Sequence, residues 1–482
     1  MPTLQKNRIW RSQGIAEPAF DDSGEYLYYV RSADARTSIV RQQLATGLVE
    51  TVAFDPAPSP GVGYGGGTFG VGRGTLVYAA DGKLVAINLS TGEQRAITPQ
   101  YEGIAAPSVS PEGRYVACVV EVEGRAEVLL ADASGEQAPI RLSLSPAFAA
   151  NPVFSGDGAR LAWMEWDEHR MPWDECRLRV ARFQSSTGGA ATASGLLPVQ
   201  VATVSKPDVS YANPAFSPDG SRLAYSSDES GMRSLWLADA SGENGELVDT
   251  GLGEIGRPDW AQGQFAVRWG GGGERIYCVR RYRSAAKLVE VAVADRRVRE
   301  LSTSATALSE LAVHPGSPDL LAYLFSSSVR PPALIPREPD GAETVRASGA
   351  VGLNDATGLS SSEVIEWSAG AGVSAYGVLY RALTGEGSRP LLVSVHGGPT
   401  SETEDGWNPF AQYYAGKGWH FLAVNHRGGT GSGRAFQDLL NGAWGVLDVE
   451  DARGGAEHLI EQGLADPRRV AVTGGSAGAT QR

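Results

Sequence analysis

PAFSPDGSRLAYSS, residues 214–227, is one copy of a pattern that recurs along the first two thirds of the chain. A short apolar segment precedes a turn, in which Pro218 suits the fixed φ of the second turn position and Gly220 allows a positive φ. The alternating segment that follows, residues 222–225, is typical of a half-buried strand. The stretch therefore predicts two short strands joined by a tight turn.

Six other stretches repeat this pattern at intervals of roughly 45 to 50 residues, with one longer gap. A further strand and another glycine-containing turn follow each copy, as at residues 234–242. About seven repeats of four short strands are typical of a β-propeller, whose ring closes its own sheet edges. The six other copies begin at Pro18, Phe69, Pro107, Pro152, Phe265 and Leu311.

Length, charge and cysteine content narrow the class of protein. A chain of 482 residues is too long for one ordinary domain. Its net charge of −13 argues against nucleic acid and anionic membranes as partners, and the basic run at residues 280–283 does not reverse that balance. The N-terminus lacks the apolar run of a secretory signal, and no stretch approaches the roughly 20 apolar residues of a membrane span. Three distant cysteines predict buried thiols rather than disulfides, which favours the cytoplasm.

Two other motifs have functional and structural interpretations. YGGGTFG, residues 64–70, does not match a phosphate-binding loop and predicts a tight passage of the backbone. The insertion MEWDEHRMPWDE, residues 164–175, offers Asp167, Glu168 and His169 as metal ligands, but neighbouring residues of a strand point in opposite directions. A surface loop that faces a cavity and contacts substrate is the preferred interpretation. The Asp-Gly turns of the repeats offer too few carboxylates for calcium, so neither a metal nor a cofactor is predicted.

From about residue 361 the pattern changes to alternating strands and helices. The apolar run at residues 391–395 predicts a strand covered on both faces. A second buried strand enters the glycine-rich loop at residues 425–433, and residues 445–463 predict a helix. This order predicts a largely parallel sheet. The buried face of the helix is predicted to carry Val449, Ala452, Ala456, Leu459 and Ile460.

The segment GGSAG, residues 474–478, fits G-x-S-x-G, the pattern of a nucleophile elbow. In such an elbow a strand turns sharply into a helix and exposes a serine, here Ser476. Small residues are needed two positions to either side, and Gly474 and Gly478 meet that need. HGGP, which follows one buried strand, resembles the loop that gives α/β-hydrolases one oxyanion-hole N–H, here that of Gly398, and this resemblance implies that Ala477, the residue after the nucleophile, gives the other.

Together, the seven repeats and the segments HGGPTS (396–401), NHRGGTGSGRAFQDLLNGAWGVLDVEDA (425–452) and ADPRRVAVTGGSAG (465–478) resemble the prolyl oligopeptidase family of serine peptidases. The bacterial acylaminoacyl-peptidase and dipeptidyl-peptidase-like branch is the most similar. The resemblance implies a β-propeller of about seven four-stranded blades over residues 1–350 and an α/β-hydrolase domain over residues 351–482. It also implies that Ser476 is the nucleophile and that the propeller caps the active site and admits short peptides.

The sequence departs from this family after the elbow. The family's triad runs serine, aspartate, histidine, yet no Asp and no His follows Ser476. The chain is therefore predicted to be a C-terminally incomplete hydrolase, inactive or impaired as it stands, because a serine without a base is a poor nucleophile. His396, beside the oxyanion loop, is interpreted as a structural residue. The six histidines are His169, His314, His396, His420, His426 and His458.

The predicted function is hydrolysis of short peptides through an acyl-enzyme at Ser476. Two alternatives stay open. One is a non-catalytic propeller that binds a ligand or partner and carries a hydrolase remnant; the other is an esterase on the same scaffold. The sequence leaves the oligomeric state open, with a homo-oligomer as one option.

Overall fold

The computed structural model describes residues 13–143, 147–183, 198–301, 303–317, 319–350, 358–398 and 400–479. Within these ranges the chain forms seven antiparallel blades and one mixed sheet. The predicted β-propeller followed by a short α/β unit is therefore confirmed. Each of the seven sequence repeats supplies the first strands of one blade.

The strands of the first four blades, in chain order, are β1–β4 (Gly14–Phe20, Tyr26–Ala33, Arg36–Gln43, Val49–Ala53), β5–β8 (Phe69–Gly72, Thr75–Ala80, Lys83–Asn88, Gln94–Ala96), β9–β12 (Gly103–Val109, Tyr115–Val122, Arg125–Asp132, Ile140–Arg141) and β13–β16 (Phe148–Phe154, Arg160–Trp166, Arg177–Phe183, Pro198–Val204). Those of the last three are β17–β20 (Tyr211–Phe216, Arg222–Ser227, Ser234–Asp239, Glu246–Val248), β21–β25 (Glu254–Ile255, Val267–Trp269, Arg275–Tyr282, Ala285–Ala292, Val298–Leu301) and β26–β29 (Ala307–Val313, Leu321–Ser327, Arg330–Arg337, Ala347–Ser348). In the sixth blade the innermost strand is split, so that both β21 and β22 pair with β23.

The α/β unit is built on a sheet with the strand order β30-β31-β33-β32-β34. Strands β32, β33 and β34 are parallel to one another, and β30 and β31 are antiparallel. Three helices and a short 3-10 helix connect and follow the strands. The elements are β30–β32 (Ser362–Ser368, Ser374–Tyr380, Arg389–Val395), α1 (Pro409–Gly416), β33 (His420–Asn425), α2 (Arg434–Asp438), α3 (Leu447–Glu461), β34 (Ala465–Gly474) and the 3-10 helix Ser476–Ala479.

The Asp-Gly turns of the repeats are held by their own side chains. In the fifth blade, the Asp219 carboxylate accepts hydrogen bonds from the Ser217 hydroxyl at 2.5 Å and the Ser221 N–H at 3.1 Å, and Gly220 has a φ of +69°. These hydrogen bonds lower the pKa of Asp219 to about 2. The turn carboxylate is therefore engaged in fixing the turn.

One side of the propeller faces the α/β unit. The turn after the second strand of the fifth blade contacts it through Gly231, whose carbonyl accepts the Arg434 N–H at 2.9 Å. The equivalent turn of the sixth blade contacts it through Ser284, whose carbonyl accepts the Asp405 N–H at 2.8 Å. The Asp-Gly turns, which follow the first strand of each blade, therefore lie on the opposite side, because the two strands are antiparallel.

Among the described strands, the first and last blades each consist of strands that are consecutive along the chain. The first blade consists of β1–β4 and the last of β26–β29. Backbone contacts join them, since the Gln13 N–H donates to the Gly349 carbonyl at 2.9 Å. Side chains join them too: the Glu310 carboxylate accepts the Glu17 N–H, and Glu17 in turn accepts the Thr68 N–H of the second blade at 2.6 Å.

Two segments meet across the central channel on the side facing the α/β unit, and we call this contact the plug. Gly66 of the second blade forms a parallel β-bridge with Gln262 of the sixth, and the Gln262 N–H donates to the Gly65 carbonyl at 2.9 Å. A Cβ atom at Gly66 would collide with the Gln262 carbonyl oxygen. The Gln262 side chain also accepts the Asn151 N–H of the fourth blade at 3.1 Å. The predicted tight passage at YGGG is confirmed, and it obstructs the channel.

Helix α3 packs on the sheet by a face that differs in part from the prediction. Ala452, Ala456 and Leu459 lie in the core, as predicted. Val449 is only half-buried, whereas Asp448 and Asp451 are 6% and 1% exposed. Asp451 turns inward because it has a cationic partner, which the apolar pattern does not reveal.

Three carboxylates are buried between the propeller and the α/β unit. Glu254 accepts the N–H groups of Gly431 and Gly433, both at 2.9 Å. Glu404 pairs with Arg257 and Arg281 at 2.7 Å each. Glu402 accepts the Ser284 N–H at 2.6 Å and the Tyr376 hydroxyl at 3.1 Å. These contacts join the two parts of the molecule by charge-assisted hydrogen bonds.

We expect the Glu402→Gln variant to lose part of the pH dependence of stability. Burial raises the pKa of Glu402 to about 7, even though Ser284 and Arg257 act to lower it. A carboxyl with a raised pKa stabilises the fold most at low pH, and this stabilisation is lost as the pH rises through about 7. Between pH 4.5 and 8, the contribution of Glu402 to the free energy of unfolding should fall by on the order of 3 kcal/mol. Glutamine does not ionise, so the variant should not show this fall.

Urea unfolding at pH 5 and pH 8.5 checks this prediction. Buried Glu310 and Asp259 also have pKa values raised to about 7, and their contribution is common to both proteins. Glu363→Gln is the matched control, because Glu363 is a half-exposed carboxylate paired with Arg381. Equal pH dependence of Glu402→Gln and the unsubstituted chain would contradict the prediction.

Candidate active site

Two loops of the predicted site leave the sheet at the same edge. Strands β32 and β34 are parallel neighbours, and Val395 is paired with Gly474 at their carboxyl ends. The loop that begins at His396 and the turn that contains Ser476 therefore emerge side by side. A Cβ atom at Gly397 would lie 3.1 Å from the Ser476 Cβ.

The turn at Ser476 has the backbone of a nucleophile elbow. Ser476 has a φ of +52°, in the left-handed region that L-residues other than glycine rarely adopt. Such a conformation costs about 1–3 kcal/mol and is found mostly at functional sites. The 3-10 helix Ser476–Ala479 begins at this residue.

The two glycines of the motif are crowded, as the elbow pattern predicts. A Cβ atom at Gly474 would lie 2.6 Å from the Gly478 carbonyl carbon and 2.9 Å from the Val395 oxygen. A Cβ atom at Gly478 would lie 2.7 Å from the His396 oxygen and would collide with the Val395 oxygen. Only glycine fits these two positions, since all the opposing atoms belong to the backbone.

The residues assigned to the oxyanion hole lie on the two adjoining loops. Gly398 has a φ of +56° and follows Gly397, the residue packed against Ser476. Ala477 directly follows Ser476 in the 3-10 helix. The structure thus brings Gly398, Ser476 and Ala477 to one edge of the sheet, and the role of the two N–H groups stays a prediction.

His396 lies beside this edge in a setting that suits a structural residue. Its ring stacks on that of His426, with 4.5 Å between centroids. Burial, and then the neighbouring His426, lower the pKa of His396 to about 3. A ring with so low a pKa is a weak general base at neutral pH. Among the described residues, no histidine nitrogen is hydrogen-bonded to the Ser476 hydroxyl.

The other histidines are engaged elsewhere. His314 bonds the Gly24 carbonyl at 2.9 Å in the propeller, and His420 accepts the Ala382 N–H at 3.0 Å within the sheet. His458 lies on α3 next to Gln462. His169 belongs to the acidic insertion of the fourth blade.

The glycine-rich loop after β33 is anchored at both ends by ion pairs that the sequence did not predict. Arg427 binds Asp451 of α3 through its backbone N–H at 2.7 Å and its guanidinium at 2.7–3.1 Å. At the other end, Arg434 pairs with Asp228 of the propeller at 3.0 Å and donates to the Trp173 carbonyl at 3.0 Å. These anchors fix the loop next to His396.

The acidic insertion forms a loop at the side facing the α/β unit. Asp167 pairs with Arg177 through two hydrogen bonds of 2.7 and 2.8 Å. The part of the chain that the structure describes contains no cluster of three residues suited to bind a metal ion. Met171 and Pro172 line a cavity, so the prediction that the loop faces a cavity is confirmed. Substrate contact stays a prediction.

The three cysteines lie where the sequence predicted them. Cys118, Cys176 and Cys278 are buried free thiols, as predicted. Burial raises the pKa of Cys118 to about 12, so this thiol is unreactive at neutral pH.

None of the helices in the described ranges has the length and apolar character needed to cross a bilayer.

Comparison with known proteins identifies relatives of the C-terminal segment. Residues 407–481 match the model of the prolyl oligopeptidase family. Dipeptidyl aminopeptidase BIII of Pseudoxanthomonas mexicana is 36% identical over 89 residues, which are 18% of this chain and 13% of that protein. The acylamino-acid-releasing enzyme of Arabidopsis thaliana is 38% identical over 89 residues, 18% of this chain and 12% of that protein. The matched segment thus spans about an eighth of these relatives' length.

Solved structures match over nearly the whole chain. A puromycin-hydrolyzing peptidase of Mycobacterium tuberculosis superposes with a TM-score of 0.87 at 23% identity, covering 98% of this chain and 76% of that one. A puromycin hydrolase superposes with a TM-score of 0.85 at 25% identity, covering 99% and 76%. The arrangement of propeller and α/β unit is therefore shared with these enzymes.

Proposed function

We propose that this chain, which belongs to the prolyl oligopeptidase family, carries the nucleophile of a serine peptidase that hydrolyses short peptides through an acyl-enzyme at Ser476. The left-handed backbone of Ser476 between two crowded glycines carries the proposal. Strain of this kind is maintained where it exposes a reactive group. The similarity to peptidases over both parts of the chain supports it.

In the proposed reaction the Ser476 hydroxyl oxygen attacks the peptide carbonyl carbon, and a general base takes the hydroxyl proton. The N–H groups of Gly398 and Ala477 donate to the oxygen on which negative charge develops, an interaction worth a few kcal/mol in the transition state. The proton passes to the amine as the C–N bond breaks, which leaves the acyl group on Ser476. Water then hydrolyses this ester by the same route.

Among the described residues, no histidine is hydrogen-bonded to the Ser476 hydroxyl as a general base would be. No His and no Asp follows Ser476, and His396 is held neutral by burial. We therefore propose that Ser476 is activated by an imidazole from a further polypeptide segment, and that the chain by itself is inactive or impaired. Loss of the base costs about 10⁶ in kcat in a serine protease.

A fluorophosphonate probe tests the proposal. We expect little labelling of residues 1–482, and strong labelling of a form extended by the reading frame downstream of Arg482. Ser476→Ala should abolish labelling in the extended form. Absence of labelling in both forms would favour a non-catalytic propeller protein, whereas strong labelling of residues 1–482 would refute the need for a further segment. The ratio of kcat/KM on short peptide amides and on p-nitrophenyl esters separates a peptidase from an esterase.

The propeller supports short peptides as the substrate class. The plug blocks the central channel on the side of the α/β unit, and Glu254, Glu402 and Glu404 hold the two parts together. We propose that substrate enters between the two parts, which favours short peptides over folded proteins. We place the protein in the cytoplasm on the cysteine usage alone.

A further inference from the structure

A cavity of about 230 Å³ lies in the propeller beside the plug. Its walls are formed by two pairs of aromatic rings. Tyr64 and Trp260 meet edge to face, with 4.6 Å between centroids, and Phe148 and Trp166 stack at 5.4 Å with 16° between their planes. Met171 and Pro172 of the acidic insertion complete the apolar lining.

The cavity lies on the side of the propeller that faces the α/β unit. Tyr64 and Trp260 belong to the two segments of the plug. Met171 and Pro172 immediately precede Trp173, whose carbonyl accepts hydrogen bonds from Arg434 at 3.0 Å and Gln437 at 3.3 Å. The residue that follows this cavity wall therefore contacts helix α2, which follows the glycine-rich loop next to the candidate active site.

The rings at the mouth of the cavity remain accessible in the assembled chain. Tyr64 is 72% exposed and Trp260 is 36% exposed, although both are large aromatic residues that line the apolar cavity. Accessible aromatic rings around a concave apolar site are typical of ligand recognition. A ligand ring in the cavity that packs against this Tyr64–Trp260 pair would gain edge-to-face contacts of the kind that aromatic pairs prefer.

Size and charge restrict the occupant. The volume is below the roughly 300–1,000 Å³ of sites for drug-sized ligands, so one side chain fits better than an entire folded segment. Glu121 adds a carboxylate to the lining, and it disfavours an acidic side chain. We propose that this cavity binds an aromatic side chain of the short peptide substrate, and that it gives the protein a preference for aromatic peptides. This inference rests on the proposed peptidase function.

A binding titration tests the cavity without requiring catalysis. The probe is acetyl-Gly-(4-fluoro-Phe)-amide, followed by ¹⁹F NMR with the 482-residue chain. Unlabelled acetyl-Gly-Phe-amide should compete, whereas acetyl-Gly-Ser-amide and acetyl-Gly-Asp-amide should compete at least about tenfold less well. Trp260→Ala removes one wall and Met171→Trp fills the space, so each should weaken binding at least about tenfold.

Phe54→Ala is the matched control, because Phe54 is an aromatic residue of the first blade that is 65% exposed and lies outside the cavity lining. It should bind the probe as the unsubstituted chain does. The proposal is overturned if the chain does not bind the probe, if serine and phenylalanine peptides compete equally, or if both cavity variants bind normally. It is also overturned if Phe54→Ala loses binding to the same extent. Fluorophosphonate labelling reports on Ser476 independently, so failure of the peptidase proposal and failure of the aromatic site are distinguishable.

Discussion

Asp451→Ala is expected to destabilise the α/β unit by about 3–5 kcal/mol, because it removes the buried partner of the buried Arg427 guanidinium and leaves it only the exposed carboxylate of Glu450 as an ionic partner. Arg427 is 6% exposed and Asp451 is 1% exposed. The carboxylate accepts hydrogen bonds from both the backbone and the guanidinium of Arg427. Hydrogen exchange of peptides that cover Leu447–Glu461 should accelerate by roughly 10²–10³-fold.

Glu450→Ala provides the matched control for this change. Glu450 contacts the same guanidinium at 3.3 Å, but its side chain is 55% exposed. An exposed partner of this kind contributes about 0–1 kcal/mol. If Asp451→Ala and Glu450→Ala accelerated exchange equally, burial of the Arg427–Asp451 pair would not be the cause.

Gly478→Ala is expected to abolish fluorophosphonate labelling of Ser476 in the extended form of the protein. The added Cβ would lie 2.7 Å from the His396 oxygen and collide with the Val395 oxygen, so the elbow and the oxyanion loop must separate. Overpacking of this kind costs about 1–3 kcal/mol. Misplacement of a reacting group by 1 Å lowers the rate by about 10²-fold.

Gly475→Ala is the control, since no atom lies within 4 Å of a Cβ at this position. It should retain labelling and change stability by no more than about 0.5 kcal/mol. Comparable loss of labelling in Gly475→Ala would show that any side chain in the turn is disruptive, and that the specific crowding of Gly478 is irrelevant.

The features that local sequence patterns determine were predictable. In the third and fifth blades the turn after the first strand carries a proline, an acid and a glycine in succession, at residues 111–113 and 218–220, and this local chemistry fixes the turn. The elbow was predictable for the same reason, because Gly474, Ser476 and Gly478 impose their conformation over five residues. The packing of Gly397 against Ser476 followed from two parallel strands ending at one edge.

Features that depend on distant residues were not predictable. Asp451 and Glu450 are adjacent and chemically alike, yet only Asp451 is buried, because the position of Arg427 depends on the sheet. The partners of Glu254 are 177 and 179 residues away. The aromatic cavity joins residues of four blades, and no spacing along the chain indicates that Tyr64 and Trp260 meet.

The closure of the ring also has a consequence for protein engineering. The described ends of the propeller lie together, because the Gln13 N–H is hydrogen-bonded to the Gly349 carbonyl. Circular permutation requires neighbouring ends and an exposed turn for the new termini. Every Asp-Gly turn on the side away from the α/β unit offers such a position. Which blade comes first in the chain should therefore not affect how the blades pack. A circularly permuted ring should retain the same blade packing.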